Sequence, residues 1–163
     1  MNIVSVRTNP GQQDYLLKED DKIVLKLRYK DDVHTVRIET ESERRVLLIE
    51  DEGLLRTRLV LKNEYGVRIG SLNYDNFSVT HGSVDIENNK FRFNIKEEAA
   101  KTELHICKGS RKALIYSCEL TFEDKKAKAV KHALASLIIS VTWYLFLKGA
   151  SKTRHAFNEA IIL

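Results

Sequence analysis

Arginine and lysine side chains supply the clearest candidate chemistry in this sequence. Arg56 and Arg58 alternate with apolar residues in the run 54–61. Lys62 follows that run, and Arg68 lies in the next one. In extended strands the arginines would project from one outward face, where guanidinium groups suit paired hydrogen bonds to phosphate oxygens. These four basic residues therefore predict a binding site for an anionic headgroup. The alternative is an ordinary charged strand surface, with nearby acids as the balancing charges: Glu50, Asp51, Glu52 and Glu64.

Residue patterns that indicate catalysis or metal binding are missing. The sequence holds no nucleophile elbow, zinc-protease helix, P-loop or dinucleotide-binding glycine pattern. His105 and Cys107 would share a strand face, but two ligands do not make a metal site. The remaining histidines are scattered along the chain: His34, His81, His132 and His155. The sequence therefore predicts a protein that is not an enzyme, with no catalytic residue, metal or cofactor. An active site assembled from scattered polar residues in a barrel mouth is the enzymatic alternative.

The composition describes one ordinary globular domain with an uneven charge. The chain has 163 residues, 43% of them hydrophobic and 31% charged, and its net charge is +4. Residues 125–163 contain seven basic residues and one acid, so the other residues carry 20 basic and 22 acidic groups. That net-negative region disfavours nucleic-acid binding. The basic C-terminal quarter suits either an anionic membrane surface or an ordinary solvated segment. The N-terminus lacks a signal-peptide pattern, which predicts a cytoplasmic protein.

Most of the chain has the alternation of β-strands. The run Lys22–Lys30 places apolar residues at every second position, as in a strand with one buried face: Ile23, Leu25, Leu27 and Tyr29. Similar short runs recur between turn residues, and they total about twelve when weaker candidates such as Phe77–Thr80 are included. Short strands at this spacing predict a sandwich or a closed barrel.

Strand alternation also predicts two local relations. Asn88-Asn89 is expected to form a two-residue hairpin turn, because asparagine tolerates the positive φ that such turns need. That turn would place Ile86 opposite Phe91. Cys107 and Cys118 fall on opposite strand faces, so no disulfide is expected between them.

The last quarter of the chain has the pattern of one apolar helix. The helix is predicted over 123–148, with an uncharged core over 133–147, and Gly149 is expected to end it, leaving 149–163 as a C-terminal tail. A helix that is apolar on all sides must be buried in protein or in lipid. Fifteen residues span about 22 Å, which is short for a bilayer core of about 30 Å. Burial inside the protein is therefore favoured over a membrane anchor or a β-strand.

About twelve strands followed by one apolar helix is a specific order of elements. A barrel of that size has a lumen too wide for strand side chains alone to fill, and an apolar helix would fill it. In this order, residues 15–147 resemble the tubby-like superfamily, which includes tubby domains, phospholipid scramblases and LURP-one-related proteins. The stretch Leu59–Leu72 is similar to their recurring hairpin. The resemblance implies a single α+β, mostly β domain over 1–163: a closed antiparallel barrel around a buried hydrophobic C-terminal helix.

The resemblance also implies a class of function. Tubby domains bind phosphoinositide headgroups through basic side chains, so we expect a non-enzymatic binding or scaffold domain. The expected partners are an anionic phospholipid headgroup at a membrane surface or another protein, and nucleic acid is not expected. The alternative is a tail-anchored membrane protein with a β-rich cytosolic domain, because lysines precede the apolar helix.

Overall fold

The computed structural model describes residues 1–53, 58–75, 78–98, 101–108, 114–121 and 131–160, with side chains for all of these except Arg7, Thr8 and residues 150–160. Within these ranges the chain forms eleven β-strands and one α-helix. They are β1 (Asn2–Asn9), β2 (Gln12–Glu19), β3 (Lys22–Lys30), β4 (Thr35–Glu39), β5 (Arg44–Glu52), β6 (Arg58–Asn63), β7 (Arg68–Tyr74), β8 (His81–Ile86), β9 (Asn89–Glu98), β10 (Lys101–Lys108), β11 (Leu114–Thr121) and α1 (Lys131–Ala160).

The strands form a closed barrel in which each strand pairs with its neighbours in sequence. Consecutive strands run antiparallel, whereas β1 closes the barrel by pairing in parallel with β11, with Ile3 opposite Leu120. The parallel pair follows from the odd number of strands, because an up-and-down chain reverses direction at every turn. The predicted closed, mostly β barrel with a C-terminal helix is confirmed, and the predicted count of about twelve strands is close.

The predicted strand Phe77–Thr80 is wrong. Residues 78–80 belong to the connection between β7 and β8, where the Ser78 N–H donates to the Asp75 carbonyl. The Ser78 and Thr80 hydroxyl oxygens lie 2.7 Å apart. Local hydrogen bonds of this kind compete with a sheet ladder. Phe77 itself lies outside the described residues.

The barrel has two ends, which we call the upper and lower openings. Four described turns border the lower opening, at 20–21, 40–43, 64–67 and 87–88, whereas the turns at 10–11 and 31–34 border the upper one. Helix α1 enters at the upper opening, where the Tyr74 hydroxyl donates to the Lys131 carbonyl at 3.2 Å. It leaves at the lower opening, where Lys148 Nζ lies 3.4 Å from a Glu19 carboxylate oxygen.

The barrel lumen is filled by the first half of α1. Every residue from Ala133 to Trp143 is buried, and the next four residues are partly exposed. The polar side chains of this segment satisfy themselves within the helix. Ser136, Ser140 and Thr142 each donate to a helix carbonyl at 2.7 Å. The predicted burial of an apolar helix inside the protein is confirmed.

The prediction that Gly149 ends the helix is wrong, because α1 continues to Ala160. A glycine stop requires the left-handed conformation. Among the described residues, Gly11, Gly53 and Gly66 have positive φ and Gly149 does not. A helical glycine costs only about 1 kcal/mol relative to alanine, so Gly149 weakens the helix without ending it. The predicted start, between 123 and 130, lies outside the described residues.

The turn between β8 and β9 is displaced by one residue from its predicted position. Glu87 and Asn88 occupy it, with φ of 48° and 65°, and Ile86 lies opposite Asn89 rather than Phe91. The displacement moves Glu87 into the turn and Asn89 into β9. It shifts the cross-strand partner of each residue by two positions, so each side chain keeps its strand face. Phe91 therefore remains buried, now opposite Val84.

Strand β3 departs from its predicted alternation close to its first residue. Lys18 pairs with Ile23 and Leu17 pairs with Leu25, so Val24 is an extra residue in β3. A β-bulge of this kind bends the strand and re-aims its side chains. Ile23 is 46% exposed, and its predicted burial beside Leu25 is wrong.

Candidate functional site

The predicted headgroup site lies on the outer face of β6 and β7 and is charge-balanced. Arg58 Nε lies 3.1 Å and Arg68 Nη1 lies 3.5 Å from carboxylate oxygens of Glu52. Lys62 Nζ forms an ion pair with Glu50, and Arg56 lies outside the described residues. The structure thus brings Arg58 and Arg68 together around one acid. A phosphate on this face would compete with a carboxylate for each described cation.

The cysteines and His105 offer little reactivity. Cys107 and Cys118 are both free thiols, and only Cys118 faces the core, as predicted from the opposite strand faces. Burial raises the pKa of the Cys118 thiol to about 11, so it stays protonated and unreactive at neutral pH. His105 Nε2 lies 2.9 Å from Glu103. Within the described ranges, no three metal-binding side chains come together.

A polar cluster surrounds the start of α1 at the upper opening. Asp51 binds two helix residues, with Lys131 Nζ at 2.9 Å from one carboxylate oxygen and His132 Nε2 at 3.2 Å from the other. The His34 ring lies 4.5 Å from the His132 ring. Lys131 Nζ also lies 5.7 Å from the Tyr74 ring centroid. Histidines that are scattered in sequence therefore meet here, across the β3–β4 turn and the helix start.

The electrostatics of this cluster favour a neutral His132. Burial lowers its pKa, and Asp51 opposes that effect without cancelling it. Burial alone would raise the pKa of Asp51, but the contacts with Lys131 and His132 outweigh it and hold that pKa below its usual range. His132 Nδ1 is buried and has no hydrogen-bond partner among the described residues. Neither ring nitrogen of His132 is therefore open to a substrate, and the cluster fastens the helix to the barrel rim.

An open groove of about 730 Å³ lies at the lower opening. Its walls come from the start of β3, the β4–β5 turn and α1. Ile23, Tyr144 and Leu147 make its apolar part, and basic residues stand beside them: Lys22, Lys26 and Lys148. The volume is that of a small-molecule site. The groove combines apolar surface with cations, which is the chemistry that an anionic amphiphile requires.

The lysines of the groove differ from the basic residues of the β6–β7 face in the ion pairs that they form. Within the described part of the chain, neither Lys22 nor Lys26 has a carboxylate partner within ion-pair distance, whereas Lys148 is shared with Glu19. Glu39, which also lines the groove, is held by Arg44 at 2.8 Å. The remaining acid of the lining is Glu41. Lys22 and Lys26 stand opposite Glu19 and Glu39 on the neighbouring strands. Because these acids are paired with Lys148 and Arg44, the two lysines are left available to an incoming anion.

Exposed apolar side chains concentrate at the same end of the molecule. Eight large hydrophobic side chains are exposed among the described residues, and six of them lie at the lower opening: Met1, Ile23, Tyr65, Val67, Leu114 and Ile115. Tyr65, at the tip of the β6–β7 turn, is 82% exposed. Val33 and Val79 are the two at the upper opening. Exposed apolar groups therefore lie on two sides of the lower opening, at Met1, β3 and β11 on one side and at the β6–β7 turn on the other.

Sequence reasoning missed the groove because its parts come from distant segments. The alternation in Lys22–Lys30 places Lys22 and Lys26 on the outward face of a strand and predicts Ile23 in the core. The available signal was the Asp20-Asp21 pair, whose residues both have positive φ in the structure. A two-residue turn there places Lys22 and Ile23 directly at an opening of the barrel.

One segment, Lys131–Gly149, has the length and hydropathy of a membrane-spanning helix. In the structure, 61% of its apolar window is buried inside the protein. A core helix passes the same test of length and composition, so this segment is explained by the lumen that it fills.

Comparisons with models of protein families, with curated proteins and with solved structures give no match for this chain. Function is therefore inferred from the geometry described above.

Proposed function

We propose that the protein is a peripheral, non-enzymatic binding domain that docks its lower opening on an anionic phospholipid surface. One observation carries the proposal: six of the eight exposed large hydrophobic side chains of the described residues lie at that end. They come from elements on different sides of the barrel mouth. A flat membrane surface can contact the groups on both sides of the opening at the same time, whereas a protein partner would more often cover one side. Apolar surface of this kind marks a membrane or interaction site.

The β6–β7 turn supplies the leading contact. Tyr65 stands at the tip with 82% of its surface exposed, and Val67 follows it with 58% exposed. Tyrosine has an apolar ring and a polar hydroxyl, and it is enriched where hydrocarbon meets headgroups. The cations that flank the turn, Lys62 and Arg68, are each already paired with a carboxylate, so the contact at the tip is apolar.

The groove beside α1 supplies a place for one headgroup. Lys22 and Lys26 lack carboxylate partners among the described residues, and each lysine near an anionic surface contributes about 1 kcal/mol. Ile23, Tyr144 and Leu147 lie next to them and would contact the first part of the acyl chains. The earlier candidates Arg58, Lys62 and Arg68 would each have to exchange a carboxylate for a phosphate, so we favour the groove.

The fold is also consistent with the tubby-like resemblance. A closed barrel around an apolar helix is the architecture that the resemblance implies, and membership of that superfamily is part of the proposal. The tail-anchored alternative would place α1 in lipid. The burial of Ala133–Trp143 in the barrel supports peripheral attachment instead.

Vesicle co-sedimentation tests the proposal. Full-length protein is expected to sediment with phosphatidylcholine vesicles that contain phosphatidylglycerol, and less with phosphatidylcholine alone. Tyr65→Ser with Val67→Ser should weaken binding at least tenfold, since about 1.4 kcal/mol of lost apolar insertion is tenfold in affinity. Lys22→Ala with Lys26→Ala should weaken binding to the anionic vesicles by a similar factor.

Matched controls separate this site from its rivals. Arg58→Ala with Arg68→Ala removes two cations from a balanced face and is expected to leave sedimentation unchanged. Alkaline carbonate should release the bound protein. Absence of vesicle binding, or binding that survives both pairs of lower-opening substitutions, would refute docking through this end. Retention after carbonate would support the tail-anchored alternative.

A further inference from the structure

A second concave site lies on the outer surface of the barrel, near the upper opening. It is a hollow of about 260 Å³ over β2–β5, lined by three basic residues and by polar and apolar neighbours. The basic residues are Arg28, Lys30 and Arg37. Gln12 and Thr35 contribute an amide and a hydroxyl. The hollow is at the opposite end from the groove that is proposed to meet lipid, so it needs a separate explanation.

The charges of the hollow are unbalanced. Arg28 and Arg37 lie directly opposite each other on β3 and β4, and like charges at such positions repel. Asp14 is the one carboxylate bound there: it accepts from Arg28 Nε at 3.1 Å and from Arg28 Nη2 at 2.9 Å. Within the described residues, Arg37 and Lys30 have no carboxylate within ion-pair distance. Arg28 is therefore balanced by Asp14, with a smaller contribution from Glu39, whereas the other two cations hold no carboxylate among the described residues.

This imbalance contrasts with the β6–β7 face. There Arg58 and Arg68 are drawn together by Glu52 lying between them, so the face is complete without a ligand. On β3 and β4, Arg28 and Arg37 are cross-strand neighbours, and among the described residues no carboxylate forms an ion pair with Arg37. A sequence that tolerates such a pair at a cost in stability is typical of a functional site.

We infer that this hollow binds a phosphate-type dianion carried by a small soluble molecule. Asp14 occupies Nε and Nη2 of Arg28, which leaves Nη1 and the whole Arg37 guanidinium for phosphate oxygens, a pairing that arginine geometry suits. Lys30 adds a point charge at the edge of the hollow, and Thr35 adds a hydroxyl, whereas the Gln12 amide nitrogen donates to Asp14 at 3.2 Å. The proposal does not rest on lipid binding at the lower opening, because it uses different residues at the other end.

Thermal unfolding with inorganic phosphate tests the inference. Titration at constant ionic strength, with chloride as the replaced anion, should raise the wild-type Tm by several degrees and then saturate, because a ligand bound only to the folded state stabilises it. Arg37→Gln should abolish that rise. Without phosphate, the same variant should unfold at a higher temperature than wild type, because the Arg28–Arg37 repulsion is gone. A merely structural role for Arg37 would predict a lower temperature.

Arg58→Gln is the matched control, since it removes an arginine from a strand face where Glu52 already balances it. This variant should keep the full phosphate response. A phosphate effect no larger than that of chloride, or one that survives Arg37→Gln, would overturn the site. Arg37→Gln should also sediment with anionic vesicles as wild type does; loss of vesicle binding would assign the phosphate to a lipid headgroup and overturn the soluble ligand.

Discussion

At the scale of single residues, His132 shows how burial and pairing set a protonation state. Its Nε2 contacts Asp51 at 3.2 Å, while its Nδ1 is buried with no partner in the part of the chain that the structure describes. A second proton on the ring would sit in that enclosed position, beside Lys131 and the His34 ring. The folded protein therefore holds His132 neutral at pH values where a solvated histidine has begun to protonate.

This state makes stability dependent on pH. The pKa of His132 is lowered in the folded protein, so the unfolded chain binds its proton first as the pH falls below about 6.5. The stabilisation is complete above that pH and is lost as the pH falls toward the folded-state pKa. Urea unfolding at pH 7.5 and 5.5 should show a smaller free energy of unfolding at the lower pH. His132→Gln should reduce that difference, and an unchanged difference would contradict this account.

Single residues also show where sequence patterns succeed and fail. Leu25, Leu27 and Tyr29 are buried as their alternation predicts, because period two is a property of every regular strand. Ile23 obeys the same alternation and is exposed, since the extra residue Val24 changes the phase. A bulge leaves no mark in the apolar pattern. The groove that Ile23 lines could not be predicted for the same reason.

At the scale of elements, the β8–β9 hairpin shows how closely a turn can be placed from sequence. Two asparagines at 88 and 89 indicate a turn, but the turn uses Glu87 and Asn88. The chosen register pairs Asp85 with Lys90 and Val84 with Phe91. Cross-strand pairs of opposite charge and of apolar groups each stabilise by a few tenths of a kcal/mol or more. They can outweigh the cost, about 1 kcal/mol, of a glutamate with positive φ.

Substitutions in this turn distinguish the two registers. Glu87→Asn should raise the free energy of unfolding by about 0.5–1 kcal/mol, because asparagine adopts positive φ more easily than glutamate. Asn89→Gly is the control. Asn89 is a strand residue in the structure, so glycine there should destabilise by about 0.5–1 kcal/mol, whereas a turn at 88–89 would make it neutral or favourable. Urea denaturation measures both variants.

Helix α1 combines an accurate prediction with a failed one. The uncharged stretch identified its buried part, because a segment without a polar face has to be enclosed. The predicted end of the helix at Gly149 is wrong, because glycine can adopt the left-handed conformation that ends a helix but does not have to adopt it. Residues beyond Gly149 continue the helix past the lower opening to Ala160.

At the scale of the whole molecule, the barrel and the helix are one core. Inward side chains from every described strand belong to the same buried cluster as the apolar residues 133–143 of α1. An eleven-strand barrel is too wide to be filled by its own side chains. The barrel can therefore close with a packed core only around the helix. That requirement made the architecture predictable from the order of elements, whereas the positions of the surface sites depended on turns and bulges.

Trp143→Ala tests this dependence. Trp143 is 3% exposed at the lower part of the lumen, with the Arg45 guanidinium 5.4 Å from its ring. Its truncation should lower the free energy of unfolding by about 3–5 kcal/mol, a large share of the total for a domain of this size. Tyr65→Ala, at an exposed aromatic, should change it by no more than about 0.5 kcal/mol. Chemical denaturation with both variants separates a core helix from an external one, which would tolerate both changes equally.

The closing pair of strands has a consequence for the timing of folding. Ile3 meets Leu120, and the lumen is filled by residues that follow both of them in the chain. During synthesis, the first ten strands can form hairpins with their neighbours as they leave the ribosome, yet no assembled core exists until residues 133–143 have emerged. The β1–β11 pair and the contacts of the strands with α1 join segments that are distant in the chain, and their late completion prolongs the exposure of apolar strands. Nascent chains of this protein are therefore expected to depend on chaperones until residues 133–143 have emerged.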